Sequence, residues 1–198
     1  LPITDTNSQA ASTLHRLPVW YGAPEANDLE LVSNTTGLSA AEIIERHQQS
    51  AYTVFAVGFA PGFAYLGELA AELTTPRLAN PRQAVPKGAV AIADRQTAVY
   101  PDVSPGGWHL LGLCPVDLYK PGATEPTLMQ AGDKVEFYAI SEDEYHALAQ
   151  IRRGRLMVIA HGRTVPLSNG FRNDHFRRIA WVRFIARYQA LACATSSP

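Results

Sequence analysis

The sequence predicts a mainly β protein with a few short helices, arranged as an antiparallel barrel or sandwich. Three observations predict it. Short apolar, β-rich runs recur at 52–59, 89–93, 97–100, 108–114 and 134–140. Clusters of glycine and proline punctuate them where long amphipathic patterns would otherwise run. Helix-start signals are few, and the segments they open are short.

The elements follow in chain order. Residues 1–16 are small and polar with no period, and read as a linker or ragged terminus. Leu17 to Tyr21 is a short strand, and Pro18 near its start suits an edge. Asn27 caps a helix from Asp28 to about Ser33, ending before Gly37. Ser39 and Glu42 form a capping box opening a helix from Ala40 to about Gln48. Tyr52 to Phe59 reads as a central strand, and Leu66 to Leu73 as a helical turn. Ala89–Ala93 and Thr97–Tyr100 flank Asp94-Arg95-Gln96 as a hairpin. Ser104-Pro105-Gly106-Gly107 suits a type II turn with Gly106 at positive φ. Strands at 108–114 and 134–140 surround the turn-rich segment 115–133. A second capping box, Ser141 to Glu144, opens a helix to about Gln150.

Composition narrows the function classes. Of 198 residues, 46% are hydrophobic and 18% charged, with net charge −1, as in an ordinary soluble globular protein with no reason to bind nucleic acid or a membrane surface. Two distant cysteines, Cys114 and Cys193, fit a reducing cytoplasm. No secretory signal opens the chain, and its first residue is not an initiator methionine, which suggests a fragment or processed product. Beyond Ile151 the balance shifts: nine arginines stand against Asp174, net +8, which leaves eight basic and seventeen acidic residues, net −9, before it. Residues 152–198 read as a basic tail, with a helix from Arg177 to Ala190: a disordered extension, a subunit junction whose reading frame was disturbed, or a binder of anionic partners.

Candidate chemistry concentrates between Gly58 and Gly112. His109 follows the Ser-Pro-Gly-Gly turn and can exchange protons near neutral pH, or be a strand histidine bonded to backbone. Arg77 and Arg82 sit on proline-stiffened loops, where a guanidinium fork suits a carboxylate or phosphate, or an ordinary ion pair. Pro61-Gly62 and Gly106-Gly107 can offer backbone N–H groups to an anion, or simply turn the chain. Trp108 and Tyr100 read as pocket wall or core, as do Phe59, Phe63 and Tyr65. Ser104 lacks a nucleophile elbow. No Walker motif, dinucleotide fingerprint or metal-ligand cluster is present.

The same stretch carries a family resemblance. Gly58-Phe59-x-Pro61-Gly62-Phe63-x-Tyr65-Leu66-Gly67, Thr75-Pro76-Arg77, Pro81-Arg82, Val85-Pro86-x-Gly88, Tyr100-Pro101 and Ser104 to Trp108 resemble the KipI / allophanate hydrolase subunit 1 family. That family includes the B subunit of bacterial ATP-dependent 5-oxoprolinase. The resemblance implies a cyclophilin-like closed β-barrel over residues 17–151, with the family's N-terminal α/β domain absent here. It implies a cytoplasmic enzyme component that opens the lactam of 5-oxoproline to glutamate. Such a component shares ATP with a C-like partner (allophanate hydrolase subunit 2), which an A-like protein can join, and is inactive alone. His109 would be catalytic, with Arg77, Arg82, Pro61, Gly62, Gly106, Gly107, Trp108 and Tyr100 binding substrate or nucleotide. A urea-degrading protein of carboxyltransferase type and a KipI-like inhibitor of a sensor histidine kinase are the alternatives the family implies.

Overall fold

The computed structural model describes residues 12–152, 157–160 and 163–166. Seven strands close into a barrel: β1 (Leu14–Tyr21), β2 (Tyr52–Val57), β3 (Ala64–Gly67), β5 (Ala89–Ala93), β6 (Gln96–Val99), β8 (His109–Leu113) and β9 (Lys134–Ala139). Two short strands, β4 (Arg82–Val85) and β7 (Ser104–Gly106), stand outside it. The order around the wall is β1-β8-β5-β6-β3-β2-β9. All neighbours are antiparallel except β1 and β9, whose six-residue parallel register from Leu14↔Lys134 to Val19↔Ala139 closes the barrel. The mainly β reading therefore holds, with one parallel seam added to the expected antiparallel pattern.

That seam corrects the edge reading of the first strand. The Thr13 and Val19 carbonyls accept from the Lys134 and Ile140 N–H groups, so odd-numbered residues of β1 bond β9. Pro18 is even-numbered, and its ring nitrogen turns to the other edge, where pairing with β8 begins only at Trp20. A proline that cannot donate is thus harmless inside a strand bonded on both sides.

Every barrel strand sends alternate side chains to one interior cluster, among them Leu17, Val19, Tyr52, Val54, Leu66, Val90, Ile92, Leu111, Val135 and Phe137. Burying each large apolar side chain there contributes about 1.5–3 kcal/mol. Two helices add to the same cluster. In α1 (Leu29–Thr36) Leu29 and Val32 are buried, and in α2 (Ala40–Gln49) Ile43 is. The expected capping box of α2 forms: the Ser39 N–H donates to Glu42 Oε2 at 2.8 Å, and the Glu42 N–H to Ser39 Oγ at 3.3 Å. Asn27 Oδ1 accepts from the Leu29 N–H, and α1 runs past Ser33 until Gly37 ends it in the left-handed region. The box at Ser141 and Glu144 likewise opens α3 (Glu142–Arg152).

Two further readings change. Where 66–73 suggests one helical turn, Ala64–Gly67 is a barrel strand and only Ala71–Leu73 is helical, as a 3-10 turn. The Ser-Pro-Gly-Gly segment is no type II turn. Ser104–Gly106 is extended as β7 and pairs with β4 in a separate two-stranded ribbon, with Arg82 opposite Gly106. Gly106 is not among the residues at positive φ. Pairing across the ribbon overrides the local turn preference. A second unit, residues 155–198, contains a described hairpin, β10 (Met157–Ala160) paired antiparallel with β11 (Arg163–Pro166). The helix expected near 177–190 lies outside the described residues.

A buried polar chain crosses the barrel interior. His47 Nδ1 accepts from the Tyr21 hydroxyl at 2.7 Å, and its Nε2 lies 2.9 Å from Thr97 Oγ1. Thr97 donates its own proton to the Ala91 carbonyl, so it must accept from His47 Nε2–H, which fixes the neutral tautomer. Burial pushes the His47 imidazole down to about 3 and the Tyr21 phenol well up.

Candidate functional site

The outer face of β5 and β6 is unusually small: Ala89, Ala91, Ala93 and Ala98 are all buried there, in a cluster with Phe63, Tyr100 and Trp108. Small residues let large rings lie close against the sheet. On this platform an open cleft of about 250 Å³ forms between the barrel and the β4–β7 ribbon. Phe63 is its hub. It meets Tyr65 at 4.9 Å, Phe59 and Tyr100 at 5.3 Å and Trp108 at 6.0 Å between ring centroids, each edge-on. Edge-to-face contacts suit the ring quadrupoles and hold these side chains rigid. Phe63, Tyr100 and Trp108 are buried, while Phe59 is 66% exposed at the rim.

The opposite wall is Pro81, Pro105, Gly106 and Gly107. An added Cβ on Gly106 would strike the Tyr100 hydroxyl, so this close approach requires glycine. Burial raises the Tyr100 phenol above its ordinary value, against a lowering pull from the Arg77 charge. It therefore remains a hydroxyl at neutral pH. Arg77 is the cation of the cleft lining. Its Cζ lies 5.7 Å over the Trp108 ring and its Nε 3.6 Å from Asp94 Oδ2, with both ion-pair partners exposed. An exposed pair of this kind is worth about 0–1 kcal/mol, so Asp94 gives up Arg77 to an anionic ligand easily. The cleft can hold a small ring among aromatics and meet a negative charge at one corner.

The structure brings together Arg77, Tyr100, Gly106, Gly107 and Trp108 from the nine residues expected to form the site. The other four stand elsewhere. Arg82 is turned to Asp28, which accepts from its Nη2 at 2.6 and 2.8 Å, and its Nη1 donates to the Trp108 carbonyl at 3.2 Å. His109 is 7% exposed and not part of the lining. Its Nε2–H donates to the Pro76 carbonyl at 2.9 Å, the strand-histidine role. Strand alternation explains this: Trp108 takes the cleft side, so its neighbour cannot. Pro61 and Gly62 also lie outside the lining, because Gly62 packs against Tyr119 and the Leu118 carbonyl. The sequence does not single out Pro81 and Pro105 as lining residues; their adjacency to Arg82 and Gly106 is the available signal. Asp28 has none, lying 54 residues from Arg82. No group of three or more metal-binding side chains occurs among the described residues, and no described helix is long and apolar enough to cross a membrane.

Comparison with known proteins gives the cleft its context. Residues 2–129 match the carboxyltransferase domain, subdomains C and D. The chain belongs to that family. This carboxyltransferase-domain chain is 46% identical over 131 residues to the 5-oxoprolinase B subunit of Bacillus subtilis, covering 66% of this chain and 55% of that protein. It is also 46% identical over 121 residues to the 5-oxoprolinase B subunit of Escherichia coli O157:H7, covering 61% and 56%. Among solved structures it resembles a conserved uncharacterized protein of Pyrococcus horikoshii, with a TM-score of 0.64 at 42% identity over 67% of this chain and 62% of that one. The chain thus spans about half the length of the curated relatives it matches. The family read from the glycine–proline motifs is the one these comparisons return.

Proposed function

We propose that this chain is the barrel portion of a 5-oxoprolinase B subunit, and that the aromatic cleft receives the lactam substrate. The observation that carries the reading is the 46% identity to proteins of that name, within a family match that spans both walls of the cleft. The chemistry of the cleft supports it. 5-Oxoproline is a flat five-membered lactam bearing one carboxylate. Phe63 and Trp108 offer apolar surface to the ring, and the Arg77 fork offers two N–H groups to the carboxylate. The Tyr100 hydroxyl, kept protonated, can donate to the lactam oxygen.

A lactam carbonyl is a poor electrophile, and ATP-dependent phosphorylation of its oxygen supplies the missing reactivity. Among the described residues one cation lines the cleft, and with the aromatic walls it fits a monocarboxylate better than a triphosphate. ATP is therefore held chiefly by residues of a C-like partner, with an A-like protein completing the enzyme in the cytoplasm. This chain contributes orientation, exclusion of water from one face, and a hydrogen bond that positions the lactam oxygen for phosphorylation. His109 takes no part in proton transfer on this reading.

The test is ATP-dependent loss of 5-oxoproline by the full-length protein, alone and with its C-like and A-like partners. Turnover is expected only in the assembly, and Arg77→Met should raise KM for 5-oxoproline about tenfold or more, the size of a lost charge-assisted bond. Turnover by the chain alone, or an assembly that consumes urea and not 5-oxoproline, would overturn the reading.

A further inference from the structure

The two walls of the cleft belong to different sheets. Tyr65 stands on barrel strand β3, with Phe63 just before it and Tyr100 just after β6, whereas Pro81, Pro105 and Gly106 ride on or beside the β4–β7 ribbon, which is not part of the barrel wall. The width of the cleft therefore depends on what ties the ribbon down. One cluster does so at the point where the ribbon chain re-enters the barrel as β8. Asp28, at the start of α1, is 7% exposed. Its carboxylate takes Arg82 Nη2 on both oxygens and also accepts the Leu110 N–H at 2.7 Å. Its own N–H donates to the Leu110 carbonyl at 2.6 Å. Arg82 in turn spans to the Trp108 carbonyl, and the Leu78 N–H donates to the Gly107 carbonyl at 2.7 Å. The polar groups of this cluster thus converge on the backbone of residues 107–110, which carries Trp108.

We propose that Arg82 and Asp28 are a positioning pair that sets the Trp108 wall of the cleft, and that of the two proline-linked arginines Arg77 alone meets the ligand. The argument is geometric. The Arg82 guanidinium makes three hydrogen bonds, to Asp28 and the Trp108 carbonyl, its side chain is 29% exposed, and it is absent from the cleft lining. A carboxylate that bonds a guanidinium and a strand amide together fixes the register of the ribbon against α1 as well as its charge. The planar fork is needed for this, because an ammonium can hold Asp28 or the carbonyl but does not span both in one plane.

The inference rests on the reading of the cleft as the substrate site, and the experiment separates the two. In the assembled enzyme, assayed well below each variant's melting temperature, Arg82→Lys and Asp28→Asn should each raise KM for 5-oxoproline by about 10- to 100-fold, the cost of a small misplacement in a preorganised site. The double variant should be no worse than the worse single one, because both act through the same wall. If Arg82→Lys raises KM while Asp28→Asn leaves it unchanged, Arg82 contacts the ligand and the proposal fails. If neither moves KM, the pair serves stability only and the proposal also fails. A second readout does not depend on turnover. In a background in which every other tryptophan, Trp20 and Trp181 included, is replaced by phenylalanine, acrylamide quenching of Trp108 should rise in both variants, and unchanged quenching overturns the proposal. Absence of 5-oxoproline turnover in the unsubstituted assembly would instead defeat the proposed function, with the quenching result still standing.

Discussion

The hydroxyl of Tyr100 and the missing side chain of Gly106 are two halves of one contact. A methyl group at 106 has nowhere to go except into the phenol, and the ring behind it is pinned edge-on by Phe63. Gly106→Ala is expected to cost about 1–3 kcal/mol, the usual range for an overpacked site, measured by urea denaturation. The atom in the way is chiefly the hydroxyl, so adding Tyr100→Phe should recover part of that loss. Strict additivity of the two substitutions would contradict the contact. At this scale the sequence is partly legible. A glycine pair beside a tryptophan marks a place of close approach, but the turn pattern predicts positive φ where the real constraint is steric. Arg77 and Arg82 look equivalent in their Pro-Arg settings. Only Asp28, brought in by the fold, distinguishes them.

At the scale of elements, α1 offers a clean measurement. Gly37 ends the helix at φ 75°, its N–H bonded to the Ser33 carbonyl, and an added Cβ would meet nothing within 4 Å. The cost of Gly37→Ala is therefore purely that of placing an L-residue in the left-handed region, about 1 kcal/mol by thermal or chemical denaturation. A loss well above this would mean that the terminus is packed and the account is incomplete. Local signals of this type are readable in advance: both capping boxes, the Gly37 stop and the hairpin around Asp94-Arg95 depend on residues three or four apart. The β4–β7 ribbon depends on pairing across some twenty residues, and Ala64–Gly67 becomes a strand only because β2 and β6 flank it. A propensity window contains neither fact.

The molecule as a whole carries a built-in acid limit. The unfolded chain binds a proton at His47 near the ordinary imidazole value, whereas folding delays that proton to about 3, since burial disfavours the charged ring and Nδ1 is occupied by Tyr21. Between those values the unfolded state holds one proton more. Stability is complete above about pH 6.5 and falls as the pH drops, by at most about 1.4 kcal/mol per pH unit from this group. Asp133 acts further down. Burial alone would raise its carboxyl, but the N–H groups of Gln130 and Thr13 and the His15 ring outweigh it and hold it below its ordinary value. Its contribution is present above the usual carboxylate range and disappears as pH falls through the lowered value. Denaturation midpoints between pH 8 and 4 should show the first decline, and the His47 ring resonance should stay still over the same range. A midpoint flat from pH 7 to 5, with a His47 signal titrating near 6.5, would refute the assignment.

The parallel seam between β1 and β9 has a consequence for biosynthesis. Residues 14–21 leave the ribosome ahead of the rest of the barrel, and the strand that bonds the β9-facing edge of β1 is finished only at Ala139, more than a hundred residues later. Contacts so distant in sequence form late. Until then the nascent chain can make at best an open sheet, with the Thr13 and Val19 carbonyls unclaimed along one border and β2 unpaired along the other. Such borders recruit strands from other chains. A transcript broken between the codons for β1 and β9 would therefore yield a self-associating product, and a chaperone that holds the first strand until the last arrives would act on the single step at which this barrel is most exposed.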